Sequence, residues 1–207
     1  KKRIYMDPYR KNEIINAFQI ARAITKHGIL TKIGDLNITS GSLIIGDIIH
    51  GITESNKLVQ KFPIEKFPVY YYRFINAGTF IMFDNTKTPN KWGLAKYFTK
   101  ERKVVQKFQV ESGNYSYLDK DGLEAIKDNE ANNLYPEGFL MDEIYQRFKD
   151  NKDILHFDIP IAKGNNNLIL LHSEWGDGLF KSYIGLDNEG NPICLFTDLG
   201  VSKIDMI

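Results

Sequence analysis

The chain has 207 residues, 27 Lys and Arg against 26 Asp and Glu, a 43% hydrophobic and 13% aromatic content, and a net charge of +1. That length suits one compact domain with a true core, and the aromatic content argues against disorder. A charge so near neutral gives no general pull toward nucleic acid or a membrane surface. One cysteine, Cys194, excludes an internal disulfide and every cysteine-based zinc pattern.

The first residues, Lys1 to Pro8, are basic and lack the apolar stretch of a signal peptide, and no run approaches the ~20 apolar residues of a membrane span. The expected compartment is the cytoplasm. Asp7 as a cap and Pro8 in the first turn open a helix over 8–27. Ile14, Phe18, Ala21 and Ile24 form its apolar stripe, and His27 with Gly28 ends it.

Sheet follows. Ser42 to Ile49 reads as a strand with Asp47 set among isoleucines. Val69 to Ile75 and Thr79 to Asp84 read as a hairpin closed by Asn76-Ala77-Gly78. Val104 to Val110 alternates as one half-buried strand. Asp119 to Asp128 reads as a short helix and Pro136 to Asn151 as a better one, with Phe139, Leu140, Ile144 and Phe148 on one side. Leu168 to Ser173, Leu179 to Leu186 and Ile193 to Leu199 read as a three-stranded meander. Its last turn is Asp187-Asn188-Glu189-Gly190, a type I signature. The expected fold is α+β: antiparallel sheets, an N-terminal helix and one or two mid-chain helices in a single domain, 1–207.

Charge is unevenly spread. Lys87 to Lys107 holds seven basic residues and Glu101, a net +6, whereas Glu111 to Glu143 holds nine acidic residues with Lys120 and Lys127, a net −7. Two solvated faces account for this pattern, and a basic docking surface is the sharper reading.

Catalytic motifs are missing. There is no phosphate-binding glycine loop, dinucleotide fingerprint or Gly-x-Ser-x-Gly elbow. His27, His50, His156 and His172 show no metal-binding spacing. Asp119-Lys120-Asp121-Gly122 imitates a calcium loop, but Glu124 stands where the sharp turn needs glycine and Leu123 occupies a ligand position. Asp119 or Asp121 is better read as a helix cap. No metal and no cofactor is expected. Cys194, between Ile193 and Leu195, reads as a buried, inert thiol.

The segment His172-Ser173-Glu174-Trp175-Gly176-Asp177-Gly178 concentrates an indole, two acids and two permissive glycines in one link. Either Trp175 plugs the sheet or the acids share a pocket with it. Asp47 and Asp198 are acids inside apolar strands, and each needs hydrogen-bond partners if buried.

With these segments in view, the chain resembles the bacterial domain-of-unknown-function family 4241. The pieces are Gly46-Asp47, Phe67-Pro68-Val69, Trp92-Gly93-Leu94-Ala95, Val110-Glu111-Ser112-Gly113 running to Leu118-Asp119, and Trp175-Gly176-Asp177-Gly178 running to Gly185, Gly190 and Asp198. The likeness spans 38–200. Two departures stand out: Ile48 where the family usually has Pro, and Glu111-Ser112-Gly113 where it favours Asp-x-Gly. The resemblance brings no established activity. It implies that Asp47, Gly113, Asp119 and the Trp175 loop converge in space.

The candidate binding residues are therefore Asp47, Glu111, Gly113, Asp119, Glu174, Trp175, Gly176, Asp177 and Gly178, with no catalytic set. The expected function is a binding module with a protein partner, concretely an immunity or partner-neutralising protein. The other reading is a small-molecule or hydrolytic site using Asp47, Glu174 and Asp177 beside Trp175.

Overall fold

The computed structural model describes residues 30–50, 56–73, 76–99, 101, 103–151, 156–173 and 176–201. The helix expected over 8–27 lies outside the described residues, as do Glu174 and Trp175.

Two antiparallel sheets make the body. The larger has seven strands. Six lie in the order β1 (Leu30–Asn37), β3 (Lys66–Arg73), β4 (Asn76–Met82), β13 (Pro192–Val201), β12 (Gly178–Leu186) and β5 (Lys91–Leu94). The seventh, β8 (Phe108–Val110), pairs with the start of β12, so β8 and β5 share one edge of that strand. The smaller sheet has four strands in the order β10 (Phe157–Pro160), β11 (Asn167–His172), β9 (Asn114–Asp119) and β2 (Leu43–Gly46). A short ribbon joins β6 (Tyr97–Phe98) to β7 (Val104–Val105). Helix α1 (Lys120–Ala131) follows β9, and a π-helical turn, Leu140–Tyr145, runs into α2 (Gln146–Asp150).

Side-chain alternation places the layers. Along the smaller sheet Leu43, Ile45, Tyr115, Tyr117, Ile169 and Leu171 meet Val69, Ile81, Ile184 and Leu195 of the larger one. Their neighbours Ile44, Leu118, Leu168 and Leu170 face the other way, onto Leu123, Ile126, Phe139 and Ile144 of the helical segment. The order is thus helices, small sheet, large sheet. At one side β1 is stitched to the small sheet by polar groups: the Asn37 amide donates to Asn167 Oδ1 (2.9 Å), and Asn167 Nδ2 donates to the Asp35 carbonyl (2.9 Å).

The core between the sheets contains hydroxyls as well as hydrocarbon. Thr79, Tyr115, Tyr117, Ser182 and Thr197 are all fully buried. Thr79 Oγ1 lies 2.8 Å from Tyr115 Oη and 2.5 Å from Tyr117 Oη, Tyr117 donates to Thr197 Oγ1 (2.5 Å), and Ser182 meets Thr197 at 2.8 Å. Such a chain satisfies groups whose burial alone costs kilocalories. Burial pushes the Tyr117 phenol up to about 12.

Several expectations change. The three-stranded meander does not form: β12 and β13 make the expected hairpin, but β11 pairs with β9 and β10 in the other sheet. Val104 to Val110 is two strands, β7 and β8, with different partners. Asn76-Ala77-Gly78 lies within β4 rather than in a turn. Gly78 is required instead because the Phe196 ring occupies the space of a Cβ. At the last turn, Asp187 Oδ1 accepts from the Glu189 and Asn191 amides (3.0 and 2.8 Å) and Gly190 has φ +88°, as its sequence predicts. These bonds, the Asn191 amide first, hold the Asp187 carboxyl down near 2. Cys194 is fully buried on the outer face of the large sheet, beside Phe80 and Phe196, and burial raises its thiol pKa. No helix among the described residues is long and apolar enough to cross a membrane.

Candidate functional site

The acid set apart among isoleucines leaves its strand at once. β2 ends at Gly46, and Asp47, almost fully buried, receives five donors. Oδ1 accepts from the Ile49 and His50 amides (2.9 and 3.3 Å) and from Ser112 Oγ (2.7 Å). Oδ2 accepts from the Glu111 and Ser112 amides at 2.8 and 2.7 Å. The carboxylate therefore pins the β8–β9 turn to the end of β2.

The turn it pins approaches the β11–β12 link. Gly113 has φ +71°, and a Cβ there would sit 3.3 Å from the Gly176 Cα and 3.9 Å from His172 Nε2. The Gly113 carbonyl accepts from the Ser173 amide (2.9 Å), and Ser173 Oγ donates to the Gly176 carbonyl (2.5 Å). Beside them the His172 amide donates to His156 Nδ1 (3.1 Å), and the His156 ring packs on Tyr71 at 4.4 Å. Burial, then the neighbouring His172, lowers the His156 imidazole to about 4.

Asp47, Glu111, Gly113 and Gly176 thus gather at one end of the sandwich. Glu111 stays half exposed, 3.7 Å from His50 Nδ1 and 2.6 Å from Gln109 Nε2. Gly178 pairs with Val110, so exposed Asp177 adjoins the same turn. Asp119 does not join them. Leu43 pairs with Asp119 and Gly46 with Ser116, which sets Asp119 about 13 Å along the strands from Asp47. Fully buried, it caps α1 by accepting from the Asp121 amide (2.9 Å) and binds Thr39 Oγ1, the Ser40 amide and Ser40 Oγ. Among the described residues no three His, Cys, Asp or Glu side chains are placed to hold a metal ion.

A different surface is open. Val104, Val105 and Leu179 are 51%, 38% and 61% exposed. With Lys96, Gln106, Lys107 and Gln109 they line a shallow hollow of about 670 Å³. A smaller hollow of about 270 Å³ adjoins it across Val105 and Lys107, and Glu101 is on its wall. Strand alternation explains the arrangement. Phe108, Val110 and Phe180 enter the core, so the paired residues Gln109 and Leu179 turn outward, away from the small sheet. The β6–β7 ribbon brings Val104 and Val105 to the rim, and both charged residues lining the larger hollow are lysines.

Residues 36–197 match the family model described as Protein of unknown function (DUF4241). The chain belongs to this family. The DUF4241 match runs from β1 into β13 and so takes in both sheets and the helices between them. No curated protein and no solved structure matches the chain. Several residues carrying the DUF4241 resemblance have work inside the fold. Asp47 and Asp119 bind backbone, Gly113 and Gly190 take positive φ, and Gly185 leaves room for Pro89 and the Cys194 sulfur.

Sequence reasoning missed the hollow as a unit. Its lysines were visible as a basic run, and the adjacent pair Val104-Val105 inside that run was the available signal. Leu179 gave none, because only its pairing with Gln109 turns it outward. His156 and His172 read as scattered; the β10–β11 pairing brings them together.

Proposed function

We propose that this DUF4241 chain is a protein-binding module whose apolar, lysine-lined hollow holds an acidic, partly apolar segment of its partner. The observation that carries the reading is the grouping of Leu179, Val104 and Val105, all exposed, between Lys96 and Lys107. Clustered apolar side chains with charges at their margin are a mark of interaction surfaces, whereas scattered ones are not. The lysines select for negative charge and against random apolar contacts. Lysines also discourage edge-to-edge strand pairing, but that role alone leaves the exposure of Leu179 unexplained. An immunity or partner-neutralising protein is the concrete form of this reading, since blocking a partner needs a surface and no chemistry. The hydrolytic reading draws less support, because Asp47, one of the three acids it uses, has both oxygens committed to internal donors.

The test is fluorescence anisotropy with a fluorescein-labelled peptide of alternating Glu and Leu. The wild-type chain binds it with an affinity that falls as salt rises. The triple variant Lys96→Glu, Lys107→Glu, Leu179→Asp, shown folded by circular dichroism, binds at least about tenfold more weakly, the equivalent of about 1.4 kcal/mol. No binding by the wild type, or equal binding by the variant, overturns the reading.

A further inference from the structure

The chain itself carries a segment of the chemistry that the hollow selects. Between Asp128 and Tyr145 there are five acids (Asp128, Glu130, Glu137, Asp142, Glu143) and no Lys or Arg. From Lys96 to Gln109 there are five cations (Lys96, Lys100, Arg102, Lys103, Lys107) and one acid, Glu101. The acidic stretch is also apolar at its surface. Met141 and Tyr145, four residues apart on the π-helical turn, are 47% and 43% exposed, and Leu134 is 37% exposed. Their neighbours Phe139 and Ile144 are fully committed to the core beneath. A π-helical turn is a rare irregularity found frequently at functional sites. Of the acids, Glu143 is paired with Arg147 (3.2 Å) and Glu130 accepts from the Phe139 amide (2.9 Å), while Glu137 and Asp128 are exposed at the surface.

The two surfaces cannot meet within one molecule. The helical segment covers the face of the small sheet that points away from the large sheet. Leu179 and Gln109 project from the large sheet in the opposite direction, since their neighbours Phe108, Val110 and Phe180 fill the space between the sheets. Complementary patches on opposite faces make a heterologous contact, which propagates head to tail rather than closing as a symmetric pair.

We propose that a second copy of this chain occupies the hollow, its Met141–Tyr145 helical face seated on Val104, Val105 and Leu179 and its acids against Lys96, Lys103 and Lys107. The proposal rests on the hollow being a binding surface and names its occupant. Copies stack in an open, salt-sensitive series, and a foreign acidic partner competes with the next copy for the same place.

Sedimentation velocity on the full chain tests this. At about 0.1 M salt, where the screening length is about 10 Å, the average mass of the wild type rises with concentration. At about 1 M, where it is about 3 Å, the mass returns to that of the monomer. Leu179→Asp destroys the hollow and leaves the helix; Met141→Asp does the reverse. Each variant alone stays monomeric, and an equimolar mixture forms a 1:1 pair that grows no further, because each variant supplies one intact surface. A wild type that stays monomeric at low salt, a Met141→Asp variant that still assembles, or a mixture that stays monomeric overturns the proposal. The Glu-Leu peptide separates this from the underlying reading. If Met141→Asp binds the peptide while the wild type is monomeric, the hollow stands as a binding site and only its occupant is wrong. If neither binds it, the binding site itself is refuted.

Discussion

His156 ties the stability of the loop-bearing end of the sandwich to pH. Its Nδ1 accepts the His172 amide proton, its ring lies on Tyr71, and burial brings its pKa from 6.5 to about 4. The folded chain therefore resists a proton that the unfolded chain takes up from pH 6.5 downward. Between pH 6.5 and 4 the unfolded state binds more protons, so stability is complete above that window and declines as the pH falls through it. At about 1.4 kcal/mol per tenfold change in proton affinity the whole effect is about 3 kcal/mol, and about 2 kcal/mol of it is gone at pH 5 relative to pH 7. Asp187, the carboxylate held near 2, loses its contribution only below pH 3.8 and does not enter this range. The assay is urea unfolding followed by fluorescence at pH 7 and pH 5 at constant ionic strength, on the wild type and His156→Gln. Glutamine offers an oxygen to the His172 amide and does not titrate. The wild type loses about 2 kcal/mol more than the variant over that step. Equal losses in the two proteins exclude His156 as the source of the pH dependence.

Three further outcomes follow from the geometry. Asp47→Ala strands the Glu111 and Ser112 amides and destabilises the chain by about 2–4 kcal/mol, with faster hydrogen exchange at those two amides than in β4; unchanged exchange there counts against the pinning role. Gly78→Ala drives a methyl group into the Phe196 ring and lowers the unfolding free energy by about 2–3 kcal/mol, measured by guanidinium titration. Thr79→Val removes the hydroxyl shared by Tyr115 and Tyr117 and costs about 1–3 kcal/mol in thermal unfolding, a loss that shrinks when Tyr115→Phe removes one of the stranded partners.

Local chemistry was readable wherever one short segment decided the outcome. Asp119 announces its helix because an Asp ahead of Lys120-Asp121 caps by geometry internal to three residues, and the structure shows that bond. The Asp187 to Gly190 turn is readable for the same reason. What the sequence does not carry is the partner of each element. β11 reads as an apolar run next to β12, and nothing within it reveals that β9, some fifty residues earlier, is its neighbour. The stretch from Val104 to Val110 reads as one strand in sequence, yet β6 takes one half and β12 the other. Gly78 looked like a turn glycine because the ring that demands it sits on β13. The candidate residues divided along the same line. Asp47, Glu111, Gly113 and Gly176 do come together, through pairings the sequence could not specify. Asp119, given to the same group by resemblance, sits at the far end of β9.

The lone thiol makes the chain its own reporter. Cys194 is sealed from solvent on β13 with its proton held more tightly than in a free cysteine, so a maleimide or disulfide reagent finds no target in the closed molecule. Modification waits for an opening that uncovers β13, a strand bonded to β4 on one side and β12 on the other. The rate of labelling thus counts those openings directly, at a single position, without an added probe.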